Sequence, residues 1–94
     1  MQEHEFRTVA LFQCLSNPVR YQILKALDDG ECIVSELAKK IHRKSQNVSQ
    51  HLRILRQFNL VRFRTENKKV FYRLKRREVL RLLEKAEDFE MRKK

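Results

Sequence analysis

The spacing of apolar residues along this chain changes twice, and that change restricts the fold more than any other feature. Up to about residue 58 apolar residues recur every three or four positions, as on one face of an α-helix. Between residues 61 and 75 they alternate with polar residues, the pattern of a half-buried strand, and from residue 77 the helical spacing returns. The chain is therefore predicted to be mainly α with one small β-hairpin.

Local signals divide the helical part into separate segments. Asn17 followed by the single proline is a typical helix start, and Gly30 after two aspartates is a typical stop. Ser35 and Ser45 are predicted to cap the next two helices, whereas residues 32–34 are too short for more than an isolated strand. We expect about five helices, at residues 4–15, 18–27, 35–41, 45–58 and 77–94.

Two of these segments form a close pair. Residues 35–41 and 45–58 are separated by three residues, the geometry of a helix-turn-helix, and the hairpin follows directly. Asn67 at the hairpin tip tolerates the left-handed conformation that a tight turn needs. At 94 residues the chain is long enough for one domain. We predict a single winged helix-turn-helix domain over residues 1–94, with the helix-turn-helix at 35–58 and a two-stranded wing at 61–75.

The terminal segments, residues 1–15 and 77–94, each carry an apolar stripe wider than one small core can cover. Pairing the two segments with those of a second copy across a two-fold axis would bury both stripes. We therefore expect a homodimer held together by its terminal helices.

The positive charge of the chain is concentrated in one third of it. The formal net charge is +10, and residues 43–77 hold twelve Lys and Arg but a single acid, Glu66. A solvated cationic surface is the plainer alternative, but such a surface would spread its charge along the chain. Concentration on one segment is typical of a binding surface for a polyanion.

The second helix of the pair carries neutral hydrogen-bonding residues within this basic segment. Val48, Leu52 and Leu55 form its apolar stripe, and the other faces hold Ser, Asn, Gln and Arg, whose geometry matches base edges in a DNA major groove. His51 lies beside the stripe and fits packing or phosphate contact as well as base contact. The predicted DNA-binding residues are Ser45, Gln46, Asn47, Ser49, Gln50, His51, Arg53 and Arg56 on the helix, with Arg64, Lys68 and Lys69 on the wing.

Two stretches resemble the ArsR/SmtB family of repressors. LFQCLSNPVRYQILKAL is similar to the family's opening segment, and NVSQHLRILRQFNLVRFRTENKKVFYRL is similar to its recognition helix and wing. Asn59 and Asn67 stand where the family has glycine, and asparagine is the usual substitute where a positive φ is required. The resemblance implies a homodimeric transcriptional repressor that binds an inverted-repeat operator in double-stranded DNA and is released by a metal ion or another inducer.

Both known metal sites of that family are missing here. The family motif ELCVCDL corresponds to ECIVSEL, so Ile33 and Ser35 stand at the thiolate positions. The second site uses Asp, His and Glu on the last helix, and no histidine follows His51. We predict no metal and no cofactor, and the sequence does not identify the inducer.

Cys14 and Cys32 leave one sensing alternative open. Together they could bind a metalloid or form a redox-sensitive pair, which would make the protein a thiol-responsive repressor. The plainer interpretation is that both are small buried apolar residues, the usual role of a free cysteine.

Other classes of protein fit the sequence less well. It has no Gly-rich phosphate loop and no nucleophile with a placed base, so no enzyme is predicted. An RNA-binding winged helix would be expected to expose aromatic side chains, and a protein-interaction winged helix would not explain the concentrated charge. No segment has transmembrane length and the N-terminus lacks a signal peptide, so we expect a cytoplasmic protein without membrane contact.

Overall fold

The computed structural model describes residues 1–92, which form five α-helices and a three-stranded antiparallel sheet. The last two residues of the predicted segment 77–94 lie outside the described residues. A short 3₁₀ turn at Leu27–Asp29 follows the second helix. In chain order the elements are α1 (Glu3–Leu15), α2 (Pro18–Ala26), β1 (Cys32–Ile33), α3 (Val34–Ile41), α4 (Ser45–Gln57), β2 (Val61–Glu66), β3 (Lys69–Leu74) and α5 (Val79–Met91).

Helix α2 begins where the sequence predicts and ends at Ala26, one residue before the predicted end. The side-chain Oδ1 of Asn17 accepts hydrogen bonds from the backbone N–H groups of Val19 and Arg20, at 2.9 and 3.1 Å, and so caps the helix. Beyond the 3₁₀ turn, Gly30 adopts φ 118° and ψ −175°. Because that conformation is almost closed to side-chain-bearing residues, the single glycine of the chain stands where the backbone requires it.

The predicted cap at Ser35 is wrong by two residues and the predicted cap at Ser45 by one. The N-cap positions are Ile33 for α3 and Lys44 for α4, and neither makes a side-chain capping hydrogen bond. Ile33 is already extended because it pairs with Phe71 in the sheet, so the helix can begin directly after it. Both serines therefore lie in the first turns of their helices rather than at the caps.

The hairpin has an additional strand that the sequence did not predict. β2 and β3 pair in antiparallel register from Val61↔Leu74 to Glu66↔Lys69, and β1 pairs with the other edge of β3. The predicted two-stranded wing is therefore part of a three-stranded sheet with the order β1-β3-β2. At the tip Asn67 has φ 50° and Lys68 φ 65°, which confirms the left-handed turn.

The interior is apolar throughout. Within residues 1–92 no polar or charged residue is buried, and the core takes side chains from every helix and from the sheet. Helix α4 packs on α2 and α3 through this core, which fixes its orientation. The most completely buried large side chains are Ile23, Leu24, Leu27, Leu37, Val48, Leu52 and Leu55.

Left-handed residues delimit α4 at both ends. His42 has φ 57° in the turn between α3 and α4, and Asn59 has φ 57° directly after α4. The N–H of Leu60 then bonds back to the carbonyl of Leu55 at 3.0 Å, closing the helix end. The positive φ at Asn59 was predicted, whereas the one at His42 was not.

Candidate nucleic-acid interface

Helix α4 presents its polar side outward because its apolar stripe is completely buried. Val48, Leu52 and Leu55 are each 0% exposed, so the rotation of the helix about its axis is fixed. Asn47 and His51 are half-buried at the flanks of the stripe. The exposed predicted DNA-binding residues of α4 are Ser45, Gln46, Ser49, Gln50, Arg53 and Arg56.

The neutral side chains on this outer face have no intramolecular partners. Among residues 1–92 the side chains of Gln46, Ser49 and Gln50 make no hydrogen bond, and helix α4 contains no acid. Their donors and acceptors are therefore free to bind an external group. This is the arrangement that direct reading of base edges requires.

Arg56 joins the end of α4 to the wing. Its guanidinium lies 4.5 Å from the ring centroid of Phe63, and Phe63 in turn contacts Tyr72 across the strands with 5.6 Å between ring centroids. A cation over an aromatic face is attracted by the ring quadrupole. The recognition helix and the wing therefore form one continuous surface.

A cationic concavity lies at this junction, and most of its residues are not among the predicted DNA-binding residues. It is lined by Arg56, Arg62 and Lys75 together with Asn59, Val61 and Phe63, without an acid in the lining. The Nζ of Lys75 donates to Oδ1 of Asn59 at 3.4 Å. The basic composition of residues 43–77 was a signal for this site, but strand alternation alone did not show which cations meet α4.

The guanidinium of Arg64 is engaged in ion pairs rather than in this concavity. Its guanidinium donates to the carboxylates of Glu31 at 2.5 Å and Glu66 at 2.8 Å and stacks over Phe71, 4.6 Å from the ring centroid. The pKa of Glu31 lies below its usual value because Arg64 hydrogen-bonds its carboxylate, and the same contacts raise the pKa of Arg64. Arg64 is therefore the predicted DNA ligand of the wing whose charge is engaged by ion pairs within residues 1–92.

Lys68 and Lys69 lie at the wing tip and are both exposed. Neither makes an ion pair within the described chain, so both charges are available to an external anion. Contact of these two lysines with DNA stays a prediction.

His51 is packed against Arg20. The Nδ1 atom of His51 lies 3.1 Å from Nη1 of Arg20. Burial lowers the pKa of His51, and the nearby charges of Arg20 and Arg43 lower it further. Of the roles left open for His51 by the sequence, the structure shows the packed one.

The two cysteines are buried in different surroundings. Both thiols are free, and each residue is 3% exposed. Cys14 lies close to Arg20, whereas the Sγ of Cys32 lies 3.9 Å from a carboxylate oxygen of Glu36. Burial raises the pKa of both thiols, which favours the protonated and less reactive form.

The described residues contain no group of three or more His, Cys, Asp or Glu that could hold a metal ion. None of the helices within residues 1–92 is both long and apolar enough to span a bilayer.

The two terminal helices expose apolar side chains on neighbouring surfaces. Phe6 and Phe12 of α1 are 59% and 60% exposed, and Leu82 and Phe89 of α5 are 45% and 78% exposed. A groove between the helices is lined by Phe12, Leu15, Tyr21, Leu82, Leu83, Ala86 and Met91, together with Ser16, Glu87 and Glu90. Apolar surface of this kind is typical of a contact with a protein, a membrane or an apolar ligand.

The fold and the polar face of α4 define the class: a winged helix-turn-helix with a nucleic-acid-binding surface. A family model described as "Bacterial regulatory protein, arsR family" matches residues 17–62. The chain belongs to this family, whose members are DNA-binding transcriptional regulators. The family assignment and the fold predicted from the sequence are thereby confirmed.

Two relatives show how far the likeness extends. The transcriptional regulator KmtR of Mycobacterium tuberculosis is 40% identical over 75 residues, which cover 80% of this chain and 58% of KmtR. The transcriptional activator HlyU of Vibrio cholerae is 37% identical over 84 residues, covering 89% of this chain and 78% of HlyU. This chain thus spans a little over half the length of KmtR.

Solved structures agree with the fold. HlyU from Vibrio cholerae superimposes with a TM-score of 0.80 at 34% identity, covering 92% of this chain and 97% of HlyU. A homodimeric winged helix-turn-helix DNA-binding domain from Mycobacterium bovis has a TM-score of 0.80 at 24% identity, covering 96% of this chain and 87% of that domain. The second comparison concerns the fold alone.

Proposed function

We propose that the protein is a homodimeric repressor that binds an inverted-repeat operator through helix α4 and the basic wing. The observation that carries this proposal is the outer face of α4, where Gln46, Ser49 and Gln50 have no partner within residues 1–92 while the stripe behind them is fully buried. Such side chains discriminate between base pairs in the major groove. DNA as the partner places the protein in the cytoplasm.

The surrounding cations supply affinity without sequence preference. Arg56, Arg62 and Lys75 line the concavity at the base of the wing, and Lys68 and Lys69 extend the charge to its tip. Each phosphate that such a residue neutralises releases counterions and makes binding more dependent on salt. Base contacts by α4 then select the site, and phosphate contacts fix the register.

The terminal helices support the dimer. Phe12 of α1 and Leu82 of α5 line one groove, and Phe89 nearby is mostly exposed. A second copy that covers these residues would remove apolar surface from water, which is favourable by about 25 cal/mol per Å². A two-fold dimer then places two α4 helices one turn of DNA apart.

The test is a protection footprint on the DNA upstream of the protein's own gene. We expect protection of two half-sites with centres about 10–10.5 bp apart, which survives moderate salt and an excess of competitor RNA. Equal binding to all duplexes, or equal competition by RNA, would contradict the proposal.

A transcription assay on the same promoter decides the direction of regulation. We expect added protein to lower transcript yield, because a dimer on the operator blocks the promoter. An increase would show an activator. Repeating the footprint with zinc, arsenite, copper(I) and an oxidant identifies the effector class, and Cys14→Ser and Cys32→Ser variants test the thiol alternative directly.

A further inference from the structure

Arg20 is anchored at both its backbone and its side chain. Its N–H donates to Oδ1 of Asn17 at 3.1 Å in the first turn of α2. Its side chain crosses to the end of α1, where Nε donates to the carbonyl of Cys14 at 2.7 Å and Nη2 to that of Gln13 at 3.5 Å. The last turn of α1 has no basic residue of its own, so Arg20 supplies the cation that the carbonyl end of that helix favours.

The same guanidinium also contacts the recognition helix. Nη1 of Arg20 lies 3.1 Å from Nδ1 of His51. Arginine can only donate, so Nδ1 of His51 is the acceptor and the ring proton must sit on Nε2. One side chain from α2 therefore fixes the end of the terminal helix α1, the ring of His51 and the tautomer of that ring.

We propose that Arg20 is a positioning residue that ties the recognition helix to the end of α1 through neutral His51, and that protonation of His51 releases this tie and weakens operator binding. The effect on operator binding rests on the proposed function, whereas the contact between Arg20 and His51 is present in the free protein. No local sequence pattern indicates this contact, because Arg20 and His51 are 31 positions apart in the chain.

The surroundings of His51 set the sign of the effect. The charges that act on its ring are Arg20 from α2 and Arg43 from the turn before α4, and from α1 the Cys14 thiol, whose pKa is raised by burial, interacts with Arg20. Burial and these two cations hold the pKa of His51 below its ordinary value. Protonation would remove the acceptor at Nδ1 and bring three cations together.

This predicts a pH dependence opposite to that of simple charge attraction. A histidine that only faced phosphate would strengthen DNA binding as the solution becomes more acidic. A histidine that holds α4 in place only while neutral would weaken DNA binding as its ring takes up a proton. The sign of the pH dependence therefore separates the two roles.

The first experiment needs no DNA. Nitrogen-15 chemical shifts of the His51 ring in the free protein report its tautomer and its titration. For the wild-type protein we expect the Nε2–H tautomer and a pKa of His51 below that of an unburied histidine. We expect this pKa to rise in Arg20→Lys and in Arg20→Ala, because each variant loses the donor at the position of Nη1. An Nδ1–H tautomer, or a pKa unaffected by both variants, would overturn the tie.

The second experiment compares two substitutions of His51 in operator binding. Asparagine places an acceptor close to the position of Nδ1 and does not titrate, whereas glutamine places its polar group closer to that of Nε2. We expect His51→Gln and Arg20→Ala each to weaken binding at pH 7.5 by about tenfold, the loss of one charge-assisted hydrogen bond. We expect His51→Asn to stay within about threefold of wild type and to lose the weakening at acid pH.

A double variant and a charge control complete the design. Arg20→Ala combined with His51→Gln is expected to bind no worse than either single variant, because both remove the same contact. Arg7→Ala, which deletes an exposed arginine of α1, is expected to bind as wild type does. Retention of binding by His51→Gln together with its loss in His51→Asn would show instead that the ring serves the DNA through Nε2.

Failure of the proposed function and failure of the role of Arg20 would give different experimental results. If wild-type protein shows no preferred DNA site, the proposed function fails and the nitrogen-15 measurement still decides the tie. If the operator is bound but Arg20→Ala changes only the melting temperature, with affinity and pH profile unchanged, then Arg20 has no positioning role.

Discussion

Helices α4 and α5 are both 13 residues long, and each leaves one face uncovered, but with opposite chemistry. Leu52 and Leu55 of α4 are 0% exposed, and the outer face of that helix is polar or cationic. Helix α5 also buries one side, yet Leu82, Phe89 and Met91 remain between 45% and 78% exposed. Within residues 1–92 the neutral side chains on the outer face of α4 lack a hydrogen-bonding partner, and the exposed side chains of α5 lack an apolar partner.

The difference shows what each kind of exposure can indicate. A polar side chain without a partner is satisfied by water, so the outer face of α4 points to DNA only together with its charge and its place beside the wing. Leaving an aromatic side chain in water rather than in an apolar environment is unfavourable, so the face of α5 points to a protein partner more directly. The family comparison supports the first interpretation, and the dimer remains a proposal.

The largest effect is expected from the same substitution made in both helices. Leu52→Ala removes a fully buried side chain and is expected to lower the free energy of unfolding by about 2–5 kcal/mol at every protein concentration. Leu82→Ala is expected to lower it by about 1 kcal/mol or less in dilute protein, and by more where dimers form. Urea denaturation over a range of protein concentrations measures both. A concentration-independent loss for Leu82→Ala would remove α5 from the interface.

A charge on the apolar face of α5 is expected to act on DNA binding from a distance. Leu82→Lys places a cation in the proposed interface, so we expect monomers by sedimentation and operator binding weaker by about a hundredfold through loss of the second half-site. Glu84→Lys adds a lysine on the other side of the same helix and is the matched control. Full binding by a monomeric Leu82→Lys protein would separate operator recognition from dimerisation.

Substitutions on the polar face of α4 and at the wing tip are expected to change DNA binding in different ways. Gln46→Ala or Gln50→Ala is expected to reduce discrimination between the operator and a mutated site by about 1–3 kcal/mol. Lys68→Ala is expected to weaken all sequences alike and to reduce the salt slope by about one. Gln57→Ala, an exposed glutamine at the end of α4, is the control for the first pair. Unchanged operator preference in both glutamine variants would show that this face does not read bases.

The smallest effect is expected at the ion pair of the wing. Glu31→Gln removes one of the two carboxylates that hold Arg64, so the guanidinium, which keeps its pair with Glu66, becomes more available to a phosphate. We expect operator affinity to rise about threefold at low salt and the salt slope to steepen by up to about one. Glu3→Gln, at an exposed ion pair of α1, is the control. A fall in affinity would show that the pair with Glu31 orients Arg64 toward the DNA.

Most of the fold could be predicted because its signals are local. The helices and the hairpin follow from apolar spacing, and the start of α2 follows from Asn17 and the proline after it. At residues 32–34 the sequence allowed no more than an isolated strand, and the pairing of β1 with β3 was missed because two residues show no period and the partner of Cys32, Tyr72, lies 40 positions away. The predicted cap at Ser35 was wrong for the same reason, since pairing of Ile33 in the sheet sets where α3 begins.

The candidate site was predictable in composition but not in arrangement. The outer face of α4 followed from its buried stripe, which one helix defines by itself. The ion pair of Arg64 with Glu31 joins residues 33 positions apart, and the contact of Arg20 with His51 joins residues 31 apart. No periodicity records such contacts, so the role of a given arginine depends on the tertiary structure.

The turns that flank α4 and form the wing tip have a thermodynamic consequence. Within residues 1–92 four residues other than glycine hold left-handed backbone: His42, Asn59, Asn67 and Lys68. A side chain at such a position leaves the backbone fewer alternatives than glycine would, although the left-handed conformation itself is unfavourable by about 1 kcal/mol or more. A binding surface whose turns keep this backbone before DNA arrives is preorganised. Association with DNA would then lose little backbone entropy, and its heat-capacity change would reflect buried surface rather than coupled folding.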